Sequence, residues 1–276
     1  MVRRLWRRLL ILAAVVSLPP LWGVAVEPAL LRETLLERRV GEWPAGQLPI
    51  RVAFLTDLHV GAPHMGLARL EAIVDRVTEA RPDLVLLGGD YVVQGVVGGR
   101  FVPPEDIARV LGRLRAPLGV IAVLGNHDWW LDGQRVRRAL QANGIRVLEN
   151  EAVPAGPLWV SGLADDTTRR PDAAAALAPV PHQAPVLMLM HDPANFFDMP
   201  RPVTLMLAGH THGGQVRLPG LGALLVPGRA PRRHAYGLIE EWGQAMYVSA
   251  GLGTSILPVR FMAPPEIVLL TLRPAG

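Results

Sequence analysis

Five short stretches of the sequence concentrate the residue types that bind metal ions. They are DLH (57–59), GGD (88–90), GNHD (125–128), HD (191–192) and GHTHGGQ (209–215). Imidazole nitrogens mixed with carboxylate and amide oxygens suit Mn, Fe, Zn or Mg. The chain has no cysteine, which excludes disulfides, thiol nucleophiles and thiolate metal sites. The sequence therefore predicts a metal site built from histidine, aspartate and asparagine.

The number of candidate ligands indicates more than one ion. The candidates are Asp57, His59, Asp90, Asn126, His191, His210 and His212. Together they exceed the needs of one tetrahedral or octahedral ion once bound water is included. Two ions sharing a carboxylate fit better, and such a pair, about 3.5–4 Å apart, promotes in-line displacement at phosphorus. Spacing alone would have His210 and His212, two apart on an extended chain, share one ion.

Alternating strands and helices are expected to position these side chains. The predicted strands include 50–57, 83–90, 118–128, 184–193, 203–212, 245–251 and 266–272, and the predicted helices lie within 66–80, 103–115 and 132–144. The pattern indicates one α/β domain, with two sheets packed face to face and helices outside. Every candidate ligand lies at or just after the end of a predicted strand and none lies on a predicted helix. Since ligands bind at the carboxyl ends of strands in such folds, we expect the candidates to meet at one edge.

The five motifs, in this order, resemble those of the calcineurin-like metallophosphoesterases over residues 50–272. The resemblance implies a four-layer sandwich of two mixed β-sheets flanked by helices. It also implies two divalent metal ions, Mn first and Zn, Fe or Mg as alternatives. The implied ligands are Asp57, His59 and His212 for one ion and Asn126, His191 and His210 for the other, with Asp90 bridging them.

The family resemblance also implies the chemistry of the site. A metal-bound hydroxide would attack phosphorus in a phosphodiester or pyrophosphate. His127 would stabilise the transition state or protonate the leaving oxygen. Asp128 is a second catalytic candidate, and support of the neighbouring ligands is its alternative role. The sequence departs from protein-phosphatase relatives at Val93, where they carry an aspartate that pairs with the catalytic histidine. The group that orients His127 is therefore left open. The pair Trp129-Trp130 is interpreted either as the rim of a substrate site or as local packing.

The segments 209–219 and 247–272 resemble a membrane-anchored bacterial branch with YkuE- and YaeI-like members. That branch is similar to enzymes that cleave UDP-2,3-diacylglucosamine in lipid A synthesis. The resemblance implies this substrate or another cell-envelope phosphoester. A generic phosphodiesterase of unknown substrate and a non-catalytic metal-bound scaffold are the alternatives.

The N-terminus is predicted to attach the protein to a membrane. Four arginines precede an uncharged run, Leu9 to Val26, which as a helix spans roughly 27 Å. A retained anchor over 1–28, a cleaved signal peptide and an interfacial helix are the competing interpretations. Residues 29–49 are predicted to be a linker, and 50–273 the catalytic domain. The expected location is the bacterial inner membrane, with the side of the catalytic domain undecided.

Charge and the remaining histidines complete the expectations. Residues 1–41 carry the whole net charge of +4, so the rest of the chain is neutral. Nucleic-acid binding is therefore not expected, and a monomer is. His64, His182 and His234 lie outside the motifs and are predicted to be surface residues. The arginine-rich loop 226–237 is interpreted as a contact for phosphates or lipid headgroups, or as a solvated loop.

Overall fold

The computed structural model describes residues 3, 6, 18–41, 43 and 46–275, and two sheets form its centre. The strands are β1 (Arg32–Val40), β2 (Ile50–Leu55), β3 (Leu84–Leu87), β4 (Val120–Ala122), β5 (Arg146–Val147), β6 (Glu151–Ala155), β7 (Leu158–Gly162), β8 (Val186–Leu189), β9 (Leu205–Ala208), β10 (Arg217–Leu218), β11 (Gly222–Ala223), β12 (Gly237–Glu241), β13 (Gln244–Val248) and β14 (Glu266–Pro274). The α-helices are α1 (Leu67–Glu79), α2 (Pro104–Leu111), α3 (Asn126–Ala142) and α4 (Ala173–Leu177). Short 3₁₀ turns cover Glu27–Ala29, Pro193–Asp198, His212–Gly214 and Arg232–His234, and a π-helical turn covers Trp22–Val26.

Both large sheets have six strands and are mixed. The first has the order β1-β14-β2-β3-β4-β5, in which β2 to β5 are parallel and β14 runs antiparallel to β2. The second has the order β12-β13-β9-β8-β7-β6, with a parallel centre and antiparallel edge strands β12 and β6. The remaining strands, β10 and β11, form a small hairpin. The predicted α/β fold with mixed sheets is confirmed.

Burial of both strand faces explains the continuous apolar runs. In β2, Val52 and Phe54 pack between the two sheets, whereas Ala53 and Leu55 belong to the core under the helices. This alternation follows from the twofold period of a strand, and a strand covered on both faces is apolar throughout. The outer face of the second sheet is covered in turn by α4 and the turn at Pro193–Asp198. The result is four layers.

The helix α3 begins earlier than the sequence indicated. Its predicted start at 132 coincides with a break inside the helix, where Asp132 has φ −174° and ψ 89°. The first segment places Asn126 and His127 on the opening turn of a helix, whereas the sequence indicated no helical ligand. The apolar periodicity of residues 132–144 could not reveal this opening turn. The side chains of the turn belong to the site and do not contribute to the apolar face of the helix.

The structure departs from the linker predicted for 29–49. Strand β1 pairs in parallel with β14 along its whole length, from Arg32 opposite Glu266 to Val40 opposite Pro274. It is an edge strand, and charged residues interrupt its apolar alternation, as is common where an edge must not recruit another chain. Strands β6 and β12, which the sequence did not indicate either, are also edge strands.

The first half of the uncharged run, residues 9–17, lies outside the described residues. Within the part of the chain that the structure describes, no helix combines the length and the apolarity needed to cross a bilayer. The described end of the segment contacts the domain: the Gly23 carbonyl accepts a hydrogen bond from the Arg260 N–H (2.9 Å), and Glu27 accepts one from the Ala263 N–H (2.6 Å).

Candidate metal centre

The predicted ligands lie at strand ends along one edge of the sheets, and the backbone there is strained. The residues with φ between 42° and 67° include Asp57, His59, Asp90, His210 and His212. This left-handed region is uncommon for residues other than glycine and costs roughly 1–3 kcal/mol each. Such strain persists where the surrounding structure imposes it, and its concentration on five predicted ligands marks a functional site.

The first group of side chains contains Asp57, His59 and His212. The two imidazole Nε2 atoms lie 3.1 Å apart, and His212 Nε2 lies 3.5 Å from Asp57 Oδ1. All three residues are buried. Their ligand atoms converge within the range that one metal ion can bridge.

The second group contains Asn126, His191 and His210. His191 Nε2 lies 3.2 Å from both Asn126 Oδ1 and His210 Nδ1. His210 and His212 thus belong to different groups, which corrects the inference from their spacing and agrees with the assignment implied by the family resemblance.

Asp90 lies between the two groups. Its Oδ2 atom is 3.5 Å from His59 Nε2 and 3.3 Å from His191 Nε2. Its Oδ1 atom accepts a hydrogen bond from the His127 main-chain N–H (2.9 Å). Burial raises the pKa of Asp90, but the neighbouring histidines, His191 foremost, more than offset it and hold the pKa well below its usual range. A single charged carboxylate therefore faces both groups.

The chemistry of the donor set fits cations. The His191 Nδ1–H donates to the Gly88 carbonyl (2.8 Å), which leaves Nε2 facing the other candidate ligands. Burial lowers the pKa of His191, but the surrounding carboxylates, Asp90 foremost, more than offset it and hold the pKa well above its usual value, so a bound cation would displace the Nε2 proton. Burial lowers the pKa of His59 and of His210 to about 3, which keeps both rings neutral at pH 7. Neutral imidazoles and charged carboxylates are the forms that bind metal ions.

His127 lies beside the candidate ligands, but it is farther from them than the members of each group are from one another. Its Nε2 atom is 4.0 Å from Asp90 Oδ2, and burial lowers its pKa. The His59 ring meets it edge-on (centroids 4.6 Å apart) and the Trp130 ring packs against it at 4.7 Å. Val93 is buried and apolar. Ring packing therefore orients His127 where protein-phosphatase relatives use a carboxylate, and Trp130 contributes to the site.

Asp128 holds the main chain of the site. Its buried carboxylate accepts hydrogen bonds from the N–H groups of Asp90 (2.9 Å), Tyr91 (2.9 Å) and Gly125 (3.0 Å). Both oxygens are engaged by these bonds. Of the two roles proposed for Asp128, these contacts favour support of the site over catalysis.

Two further residues differ from expectation. Asp192 follows a predicted ligand in the HD motif, and its Oδ2 atom lies 3.6 Å from His210 Nε2, just beyond hydrogen-bond distance. Burial raises the pKa of Asp192 to about 6. His234, predicted to be a surface residue, is fully buried with its Nε2 3.2 Å from Glu241 Oε1.

The chain belongs to the calcineurin-like phosphoesterase family, whose sequence model matches residues 50–214. It is 28% identical to YkuE of Bacillus subtilis, an uncharacterized metallophosphoesterase, over 90% of this chain and 87% of that one. It is 31% identical to the phosphodiesterase YaeI of Escherichia coli, over 86% and 87% of the two chains. A transmembrane protein with a metallophosphoesterase domain from Danio rerio is 29% identical over 96% of this chain and 62% of its own. The resemblance predicted from the motifs is confirmed.

Proposed function

We propose that this protein is a membrane-attached phosphohydrolase with two divalent metal ions, cleaving a phosphodiester or pyrophosphate bond. The observation that supports this most strongly is the position of Asp90 Oδ2, within 3.5 Å of a histidine nitrogen in each ligand group. A structural cap or turn residue would not need two sets of buried imidazoles around one carboxylate.

The two ligand groups and His127 have separate roles in the proposed reaction. Divalent ions, with Mn as the first candidate and Zn, Fe or Mg as alternatives, would lower the pKa of water and neutralise phosphoryl charge. Asp57, His59 and His212 would hold one ion and Asn126, His191 and His210 the other, with Asp90 between them. His127 would then face the substrate phosphate with a nitrogen able to donate a proton to the leaving oxygen.

The substrate and the location are part of the same proposal. The uncharged run Leu9–Val26 supports attachment to the bacterial inner membrane. With the branch resemblance, it favours UDP-2,3-diacylglucosamine or another cell-envelope phosphoester. A generic phosphodiesterase is the alternative, favoured by the similarity to the phosphodiesterase YaeI. A non-catalytic scaffold is disfavoured because every ligand position is filled.

Hydrolysis by the full chain tests the proposal. The purified protein is stripped with chelator, reloaded with Mn, and assayed on bis-p-nitrophenyl phosphate and on UDP-2,3-diacylglucosamine. We expect Mn-dependent turnover of at least one of them, abolished in Asp90→Asn. The matched control is Asp75→Asn, an exposed helical aspartate paired with Arg113 (2.6 Å), which should leave turnover unchanged. A wild-type protein that binds Mn and hydrolyses neither compound would contradict the enzymatic function.

A reporter fused at the C-terminus tests the location. Membrane fractionation of the fusion should recover it with the inner membrane, and the activity of a reporter that works on only one side identifies the side of the catalytic domain. Recovery in a soluble fraction would contradict the attachment.

A further inference from the structure

We propose that an exposed apolar surface next to the metal centre docks against an anionic lipid bilayer and holds the centre at the membrane interface. The surface, here called the apolar rim, consists of Trp22, Leu221, Leu225, Ile256, Leu257 and Met262. The inference rests on the membrane attachment proposed above and goes beyond it, because an anchored domain could equally stand away from the bilayer.

Three segments of the chain are joined at the rim. The Arg260 N–H donates to the Gly23 carbonyl (2.9 Å), which fixes the end of the N-terminal segment on the loop 253–263. On the same loop, the Phe261 N–H donates to the Gln215 carbonyl (2.7 Å) and its carbonyl accepts from the Arg217 N–H (2.9 Å). The β10–β11 hairpin, the loop and the N-terminal segment are therefore one connected surface.

The apolar side chains of this surface face solvent. Leu225 is 81% exposed and Leu221 and Ile256 are each 68% exposed. Leu257, Met262 and Trp22 are also exposed. A groove of about 530 Å³, almost wholly apolar, lies between the N-terminal segment and Met262. Several exposed apolar side chains on one connected surface indicate an interaction site.

The rim is directly connected to the metal centre. The Gly253 N–H donates to the Asp57 carbonyl (2.6 Å), and the Leu252 N–H donates to the Thr56 carbonyl (3.1 Å). The hairpin starts at Arg217, five residues after His212. A bilayer in contact with the rim would therefore lie close to the ligands, and a phosphoester in the headgroup layer could reach them without leaving the membrane.

Charge favours anionic lipid over other occupants. The Arg217 and Arg232 side chains donate to main-chain carbonyls, those of Gly213 (3.1 Å) and Ala223 (3.1 Å) respectively. Among the described residues neither forms an ion pair with a carboxylate, whereas the nearby Arg229 does. Unpaired basic residues beside exposed apolar ones are typical of surfaces that bind anionic headgroups.

The N-terminal segment distinguishes a bilayer from a protein partner. The uncharged run Leu9–Val26 ends at the rim, and its last residues contribute Trp22 to it. A bilayer into which this run inserts would therefore contact the rim before it contacts the rest of the domain. A second copy of the chain would have to cover the same surface without displacing that segment.

The absence of cysteine permits a clean test. Leu225→Cys in the full chain is labelled with an NBD fluorophore and incorporated into vesicles of phosphatidylcholine and phosphatidylglycerol. The control is Leu35→Cys, 78% exposed on edge strand β1 and outside the rim. We expect blue-shifted emission and loss of iodide quenching at position 225 and neither change at position 35. Removing phosphatidylglycerol, or introducing Arg217→Gln, should restore part of the quenching.

Three outcomes would contradict the docking, and the experiment distinguishes them. Failure of the full chain to float with vesicles overturns the membrane attachment and the docking together. Flotation with an NBD label that stays quenchable at position 225 overturns the docking alone. A label that is already protected before vesicles are added shows self-association through the rim and also overturns the docking.

Discussion

Replacing Gly125 with alanine should disable the metal centre without unfolding the domain. Gly125 precedes α3 with φ −103° and ψ 179°, a conformation open to any residue, so the backbone tolerates the substitution. The added Cβ, however, would lie 2.7 Å from His191 Cε1 and 2.8 Å from Asp90 Cγ. Optimal carbon–carbon contacts are about 3.5–4.0 Å, so these groups must move by about 1 Å.

The size of the effect follows from that displacement. A shift of about 1 Å in a catalytic group can cost on the order of 10²-fold in rate. Disturbing groups that orient ligands typically costs about 10–100-fold in metal affinity or activity. We therefore expect Gly125→Ala to lose about 100-fold in Mn-dependent hydrolysis of bis-p-nitrophenyl phosphate and at least about tenfold in Mn affinity by titration calorimetry.

Gly66→Ala is the matched control. Gly66 precedes α1 with φ −86° and ψ 177°, and a Cβ there meets nothing within 4 Å. Alanine is a poorer N-cap than glycine, but it lowers the entropy of the unfolded chain, so the two effects on the free energy of unfolding, each below about 1 kcal/mol, oppose each other. Both variants should melt near the wild-type temperature. Equal Mn affinity and equal rates in the two variants would refute the steric argument.

Three further perturbations separate positioning, chemistry and metal binding. Asp128→Asn should lower the free energy of unfolding by about 1–3 kcal/mol in chemical denaturation, because an amide cannot accept all the N–H bonds of the carboxylate; an unchanged midpoint would count against its positioning role. His127→Gln should lower turnover by about 10²–10⁴-fold and leave the Mn content by elemental analysis unchanged, whereas a parallel loss of Mn would make His127 a ligand. Removing metal with EDTA should lower the melting temperature, since an ion at 100 times its dissociation constant stabilises the native state by about 2.7 kcal/mol; identical melting curves would argue against a preformed site.

The candidate ligands could be selected from sequence because each follows a buried strand. A strand such as β8 is apolar over its whole length, and the polar residue His191 after it marks its end. The edge strand β1 could not be predicted in the same way. Its pairing with β14 joins residues more than 200 positions apart, and its charged, half-exposed side chains resemble those of a linker.

The roles of Asp128 and Asp192 were missed or left open at the level of sequence. Both residues lie next to the candidate ligands and are not themselves in either ligand group. For Asp128 the sequence left a catalytic and a supporting role open, and its carboxylate accepts hydrogen bonds from the N–H groups around Asp90. Asp192 was overlooked because its partner, His210, lies on another strand. Short motifs reveal residues that meet at a strand edge, but they do not reveal which neighbour orients which ligand.

The way in which His127 is held has a consequence for its chemistry. A carboxylate partner would raise the pKa of His127 and favour the imidazolium ion. Packing between the His59 and Trp130 rings supplies orientation, and burial lowers the pKa of His127 by more than the Asp90 carboxylate, 4.0 Å away, raises it. The direction of this pKa shift disfavours the imidazolium ion in the free protein, and negative charge on a bound phosphate would favour it. Replacing Val93 with aspartate should reverse this preference, raising the pKa of His127 measured by NMR, and an unchanged pKa would contradict the role assigned to ring packing.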